Sequence, residues 1–421
     1  MKKITVSGPC RLEGEVEISG GKNAIVAILP ATVMVRGKCI IENVPQISDV
    51  LNILQILREM GALVEFKDSK TVEIDCSNIK TTEAPYDYAR KLRASYYFLG
   101  ALLGRFRDAT VAMPGGCSIG LRPIDQHVKG FEHLGATVDS QRGNVHAYAQ
   151  KLTGNHIYFD VVSVGATINV MIAAATAEGL TVMENVAKEP HIVDVANFLN
   201  SMGANISGAG TDVIKVRGVP ELTGGYYAAI PDQIEAGTFM VAAAATHGDV
   251  TVKNVIPKHL ECISRKLTEM GVKVIEFDDY VRVIADKPIQ ASAIKTMPYP
   301  GFPTDMHPQM AVLMTQAEGA SRVTENIWES RFKYVDELRK MGANIEVTGN
   351  IARIEGGTPL FASPVRSCDL RAGAAMVIAG LVASGKTEIE EIEYIERGYE
   401  NIIEKFQNIG ANIQLIDTEE N

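Results

Sequence analysis

The chain has 421 residues, enough for two or three domains at roughly 150 residues each. Lys and Arg number 41 against 51 Asp and Glu, a net charge of −10, which argues against the basic stripe that a nucleic-acid surface needs. Hydrophobic residues make up 46%, enough for a sizeable core, yet the most apolar run, Ile25 to Val35, contains Pro30 and falls far short of the ~20 residues of a membrane span.

In chain order, the opening MKKITVSGPC has Lys2 and Lys3 with no apolar segment behind them, so it does not read as a secretory signal. Residues 1–21 read as a lone strand segment that must pair elsewhere. From Lys22 onward one phrase recurs six times: LREMGALVEF, FEHLGATVDS, FLNSMGANIS, LTEMGVKVIE, LRKMGANIEV and FQNIGANIQL, with its glycine at 61, 135, 203, 271, 342 and 410. Each is apolar at helical spacing, then Gly, then alternating, which predicts a helix that stops at a C-terminal glycine and runs into a strand. Before each lies an Ala-rich apolar helix, a turn and a second alternating strand, as in AEGLTVMENV at Gly179 and THGDVTVKNV at Gly248. Six units of about 70 residues are too long for an open solenoid, so three units per domain and two domains are expected. Repeats one to three run from about Lys22 to Ala229, and four to six from Ile230 onward, with Gly225–Asp232 as the crossing. The run Glu388–Glu396 reads as a strand with one solvated face.

The turn residue of most repeats is followed six positions later by Asn (Asn43, Asn185, Asn254), or seven in the case of Asn326; Glu391 takes the slot in repeat six. Repeat two deviates: Pro114 replaces Asn and opens the longer segment PGGCSIGLRPIDQH, 114–127. Three glycines and two prolines around Cys117 predict a mobile loop with an exposed thiol. Cys39, Cys262 and Cys368 read as inert core residues. With no C-x-x-C pair and no zinc spacing among the six cysteines and eight histidines, the expectation is a cytoplasmic protein without metal or cofactor.

Fifteen residues before each turn the inner helices begin, at Lys22, Arg93, Val164, Gln233, Thr304 and Leu370. Charged residues cluster at these starts: Lys22, Arg93, Asp305, Asp369 and Arg371. Helix N-termini offer unpaired N–H groups that suit phosphates. Helix capping accounts for Asp305 and Asp369 taken singly, but cations at an N-terminus are unfavourable by ~0.3–1 kcal/mol without an anionic partner.

The segments GGKNA (20–24), LRAS (92–95), PGGCSIGLRPID (114–125), SVGAT (163–167), GFPTDM (301–306) and DLRAG (369–373) together resemble the UDP-N-acetylglucosamine enolpyruvyl transferase family, within the EPSP synthase-like superfamily. The likeness spans essentially the whole chain, and the Cys117 segment is its most specific part. It implies an α/β (α+β) fold of two similar domains, each with three βαβαββ repeats around inner helices (an inside-out α/β barrel), and an active site in the interdomain cleft. The implied domains are 1–21 plus 230–421, and 22–229 carrying the Cys loop.

The resemblance also implies a reaction and its residues. Enolpyruvyl passes from phosphoenolpyruvate to the 3′-hydroxyl of UDP-N-acetylglucosamine with release of phosphate, a first step towards peptidoglycan precursors. Cys117 would be the acid at carbon 3, able to form a covalent phosphoenolpyruvate adduct and to be alkylated by electrophilic phosphonates. Asp305 would be the base. Lys22, Arg122 and Arg397 would hold the phosphate and carboxylate of phosphoenolpyruvate, assisted by Asn23 and Arg371. Arg93, Arg122, Pro123, Ile124, Asp125, Gln126, Ser163, Val164, Gly165, Asp305 and Ile327 would contact the nucleotide-sugar. Implied partners are these two small molecules alone, with no nucleic acid or membrane, in a monomer or weak homo-oligomer. Val161 stands where some members carry Lys, and Gln126 and Tyr299 also depart from common forms, which puts one diphosphate contact in doubt. His127 reads equally as a packing residue or a ligand contact. Two alternatives fit less well: a shikimate-3-phosphate enolpyruvyl transferase, which lacks this Cys loop, and a non-catalytic nucleotide-sugar sensor, against which the joint presence of Lys22, Cys117, Asp305 and Arg397 argues.

Overall fold

The computed structural model describes residues 2–113, 123–141 and 143–417. Each of the six phrase glycines has a φ between 89° and 103°, the left-handed region open to a residue without Cβ. At the first of them, Gly61 N–H donates to Arg58 O at 3.0 Å and Ala62 N–H to Leu57 O at 2.9 Å, and the other five repeat this pair of bonds. These bonds satisfy the last carbonyls of each outer helix and turn the chain into a strand.

The recurring Asn has an equally local reason. Asn43, Asn185 and Asn254 have φ of 60°, 56° and 56°, values that Asn tolerates better than branched residues. Their amides donate to Ala229 O (3.0 Å), Phe159 O (2.8 Å) and Ile18 O (2.7 Å), and Asn326 donates to Thr296 O (3.1 Å). In each case the bond ties the end of one strand to the residue after its parallel neighbour.

Repeats three and five each run as a strand, an inner helix, a second strand parallel to the first, an outer helix and two antiparallel strands, whereas the sheet of repeat two has three strands among the described residues, with only a bridge from Glu83 to Thr110 in place of the first. In the third repeat His156–Tyr158 pairs in parallel with Leu180–Glu184, Ile157 opposite Met183. Val213–Arg217 and Asn205–Ser207 then extend the sheet antiparallel. This is the α/β class the repeats imply. Residues 20–113 with 123–230 form one compact unit, and residues 2–19 with 231–417 another. In the first unit, the inner helices Lys22–Ala31, Tyr97–Phe106 and Val164–Ala174 lie in one core, and Asn169 joins two of them by accepting from Gly100 N–H (2.8 Å) and donating to Tyr96 O (2.8 Å). In the second, Gln233–Ala245, His307–Thr315 and Leu370–Val382 occupy the corresponding places and are buried on nearly every side, as centrally placed helices are.

Three expectations change. The N-terminal segment is two strands in two sheets: Lys2–Gly8 runs antiparallel between Gly385–Glu390 and Asn412–Asp417, and Glu13–Glu17 runs parallel to Asp249–Lys253. Glu388–Glu396 is not one strand. Glu391, in the Asn slot, is left-handed (φ 58°), so the strand ends at Glu390 and Glu393–Glu396 is a short helix. In repeats two and four the left-handed turn residue lies one position early, at Arg107 and His247. Gly248 instead answers a close approach, since a Cβ there would lie 2.3 Å from Leu12 O.

Candidate active site

In the unit of residues 20–113 and 123–230, Lys22 opens its inner helix. Its Nζ lies 2.8 Å from Asp49 Oδ2, with the two side chains 12% and 4% exposed. A cation at a helix start calls for an anionic partner, and Asp49, in the first turn of Ser48–Glu59, is one within the protein itself. Asn23 is half-buried beside it.

Arg93 opens a 3-10 turn, Arg93–Tyr96, rather than the α-helix itself, and its guanidinium lies 5.8 Å from the Tyr96 ring. Tyr96 is 6.2 Å, ring to ring, from buried His127. Burial, with the charge of Arg93 behind it, pushes the His127 imidazole down to about 4, so it is neutral at pH 7. A Cβ on Gly165 would sit 2.9 Å from His127 Nε2, so glycine there lets the helix Val164–Ala174 pack on the imidazole. Arg93, His127 and Gly165 therefore form one neighbourhood. Ser163 caps that helix by accepting from Ala166 N–H at 3.3 Å. Gln126 is buried and braces Asp125 (2.8 Å) and Asp160, whose amide donates to Gln126 Oε1 at 2.9 Å. Pro123 and Asp125 are exposed, and Ile124 and Val164 are half-buried. Val161 is 57% exposed. Cys117 and Arg122 lie outside the described residues.

The second unit holds a denser cluster. Asp305, 28% exposed, accepts from Arg331 Nη1 at 2.9 Å and from Arg371 Nε at 3.2 Å. Burial works against its charge, but Arg331 and Arg371 outweigh burial and hold the carboxyl well below the usual carboxylate range. Arg331 and Arg371 are 3% and 2% exposed. Arg331 Nε and Arg371 Nη1 are buried with no hydrogen-bond partner among the described residues, the condition of donors that await an acceptor. The Arg371 guanidinium also stands 5.4 Å from the Tyr399 ring. Asp369 is a helix cap, accepting from Arg371 N–H (2.8 Å) and Ala372 N–H (2.9 Å). Arg397 is half-buried just past the helix Glu393–Glu396. The amide of Ile327 donates to Glu325 Oε1 at 2.6 Å, and its side chain is half-buried.

Sequence reasoning missed Arg331 and Asp49. Arg331 lies in the irregular run ENIWESRF, which carries no periodic signal, and Asp49 has the look of any first-turn acid. Each unit by itself offers anion-binding chemistry: the Lys22 ammonium beside Asp49 in one, and the Arg331 and Arg371 guanidiniums beside the Asp305 carboxylate in the other. Among the described residues no group of three His, Cys, Asp or Glu could hold a metal, and no helix is long and apolar enough to cross a membrane.

Residues 6–406 match the family EPSP synthase (3-phosphoshikimate 1-carboxyvinyltransferase). The chain is 60% identical over 414 residues to a UDP-N-acetylglucosamine 1-carboxyvinyltransferase of Clostridium botulinum, covering 98% of this chain and 99% of that one. It is 58% identical to UDP-N-acetylglucosamine 1-carboxyvinyltransferase 2 of Clostridium acetobutylicum, with 98% and 99% covered. Among solved structures, the enolpyruvyl transferase NikO from Streptomyces tendae superposes with a TM-score of 0.88 at 26% identity, 98% of each chain covered. EPSP synthase from Acinetobacter baumannii, at 20% identity and a TM-score of 0.79 over 99% of this chain and 100% of that one, shares the fold. The chain belongs to the EPSP synthase family, and within it to the UDP-N-acetylglucosamine 1-carboxyvinyltransferases.

Proposed function

We propose that this protein transfers the enolpyruvyl group of phosphoenolpyruvate to the 3′-hydroxyl of UDP-N-acetylglucosamine and releases phosphate. The observation that carries this reading is 60% identity across 98% of the chain to a relative of that name. The geometry at Asp305 supplies matching chemistry.

In the proposed addition step, Cys117 gives its Sγ proton to carbon 3 of phosphoenolpyruvate. The sugar 3′-oxygen attacks carbon 2 and its proton passes to Asp305, leaving a tetrahedral intermediate. Elimination reverses the first proton transfer: carbon 3 returns a proton to Cys117 Sγ, the bond from carbon 2 to the phosphate oxygen breaks, and phosphate leaves with the electron pair and takes the proton that Asp305 held. The Cys117 thiolate can also add to carbon 2, giving a covalent phospholactoyl adduct. Lys22, Arg122 and Arg397 bind the substrate's phosphate and carboxylate, with Asn23 and Arg371 assisting. Arg93, the 123–126 and 163–165 segments and Ile327 contact the nucleotide-sugar.

Asp305 between two guanidiniums is a weak base. An anion accepting from Arg371 Nη1, which has no partner among the described residues, offsets part of that positive field and raises the basicity of Asp305. Binding of the anionic substrate thus prepares the base that consumes it.

The test is phosphate release from phosphoenolpyruvate with UDP-N-acetylglucosamine or with shikimate 3-phosphate as acceptor, for wild type and Cys117→Ser. Release with the nucleotide-sugar alone, lost in the Ser variant, supports the reading. Release with shikimate 3-phosphate overturns the acceptor. No release with either, despite tight nucleotide-sugar binding, moves the function to a sensor.

A further inference from the structure

Beneath Asp305 lies a buried carboxylate that the proposed reaction does not use. Glu325 is 2% exposed and sits on the loop after Ala320–Thr324. Its Oε1 accepts from the amides of Ile327 (2.6 Å) and Trp328 (3.0 Å), and its Oε2 accepts from Thr304 Oγ1 (2.8 Å). Thr304 Oγ1 in turn accepts from Arg331 Nη1 at 3.2 Å, the same nitrogen that donates to Asp305 Oδ1. A hydroxyl has one proton to give. Because that proton goes to Glu325, the oxygen lone pairs of Thr304 are left to receive Arg331.

We infer that Glu325 and Thr304 are positioning residues for proton transfer at Asp305: Glu325 orients the Thr304 hydroxyl, the hydroxyl aims the Arg331 guanidinium, and the guanidinium sets the carboxylate. This rests on the reading of Asp305 as the base. The charges along the chain alternate, from Glu325 to Arg331, Asp305 and Arg371. Buried alternation of this kind is rigid, since moving one member leaves its neighbour unpaired in a poorly screened place. Among the described residues, other ionisable groups at the cluster include His307, whose Nε2 lies 3.3 Å from Glu325 Oε2, Tyr334, which bonds His307 Nδ1 at 3.1 Å, Tyr399 beside Arg371, and Asp369, whose charge acts on Tyr334. Burial holds His307 well below its ordinary value, so it stays neutral and adds no compensating charge. Asp232, which caps the helix Gln233–Ala245, contributes a negative field at Arg371. The same Glu325 carboxylate ties the 327–328 turn to the base, so a ligand that shifts Ile327 also shifts the support of Asp305.

The experiment measures kcat, KM for both substrates and the pH dependence of kcat on the full chain, for Thr304→Val, Thr304→Ser and Glu325→Gln, with Asp305→Asn as reference. Thr304→Val keeps the shape and deletes the hydroxyl, and is expected to lower kcat on the order of 10-fold while KM for the nucleotide-sugar stays within about twofold. Thr304→Ser is expected to restore most of that loss. Glu325→Gln removes the negative charge behind Arg331, so the acidic limb of kcat should move to lower pH and the plateau should fall. An unchanged kcat in Thr304→Val, a loss that Ser does not rescue, or an effect on KM alone overturns the inference. If Glu325→Gln does not fold, the Val and Ser pair decides. Near-wild-type turnover by Asp305→Asn overturns the base assignment instead, whatever the Thr304 variants do.

Discussion

Lys22 and Asp49 form an ion pair of 2.8 Å at the start of two helices, one the proposed substrate ligand and the other its internal counter-ion. Asp49 holds the ammonium of Lys22 in place before any phosphate arrives. Asp49→Asn removes the charge and keeps the shape, so Lys22 loses its fixed position. The expected result is a fall in kcat/KM for phosphoenolpyruvate on the order of 10-fold, mostly through KM, with a lower melting temperature. A lower KM in the variant would mean that Asp49 competes with substrate rather than preparing its ligand.

Asp194 offers a stability experiment with a definite sign. It is buried, accepts from Tyr227 OH and from Ile230 N–H at 3.2 Å, and burial pushes its carboxyl up to about 6 despite those bonds. The folded state therefore keeps a proton on Asp194 between about pH 4 and 6, where an unfolded Asp has lost it. This stability contribution is complete below about pH 4 and is lost as pH rises through about 6. Asp194→Asn cannot titrate, so relative to wild type it should gain about 2 kcal/mol between pH 4 and pH 7 in urea denaturation. A pH-independent difference would rule the mechanism out.

The Asn slot can be taken apart by two substitutions at one site. Asn185 supplies both a left-handed backbone (φ 56°) and a hydrogen bond to Phe159 O. Asn185→Gly keeps the backbone and loses the bond, for about 1 kcal/mol. Asn185→Ala loses the bond and also strains the backbone, for about 2–3 kcal/mol in total. Equal denaturation midpoints for the two variants would show that the left-handed requirement is not felt.

Thiol chemistry separates the cysteines. Burial pushes Cys39 up to about 12 and Cys76, Cys262 and Cys368 up to about 11, and it raises Cys10 as well. Such thiols are protonated at pH 7 and poor nucleophiles. Brief alkylation of the native protein, read by peptide mass spectrometry, should leave those five peptides almost unmodified and label the one containing Cys117. Fast labelling of Cys39 or Cys76 would contradict the burial argument.

Much of the architecture was open to reading because its signals are local. A left-handed glycine must close each outer helix at residues 61, 135, 203, 271, 342 and 410, and a polar residue tolerant of positive φ must follow the second strand at Asn43, Asn185 and Asn254. Those demands act through the backbone of the residue itself, so they leave a mark at fixed spacing, and the sequence alone determined six repeats and the starts of four inner helices, at Lys22, Val164, Gln233 and Leu370, whereas a 3-10 turn precedes the helices at Tyr97 and His307. Tertiary structure decided the rest. The pairing of Lys2–Gly8 with strands near residues 385 and 412, the meeting of Lys22 with Asp49, and the line from Glu325 through Thr304 and Arg331 to Asp305 join residues that share no local pattern. Sheet register and helix packing bring them within bonding distance, and only there does a buried charge acquire the partner that burial requires.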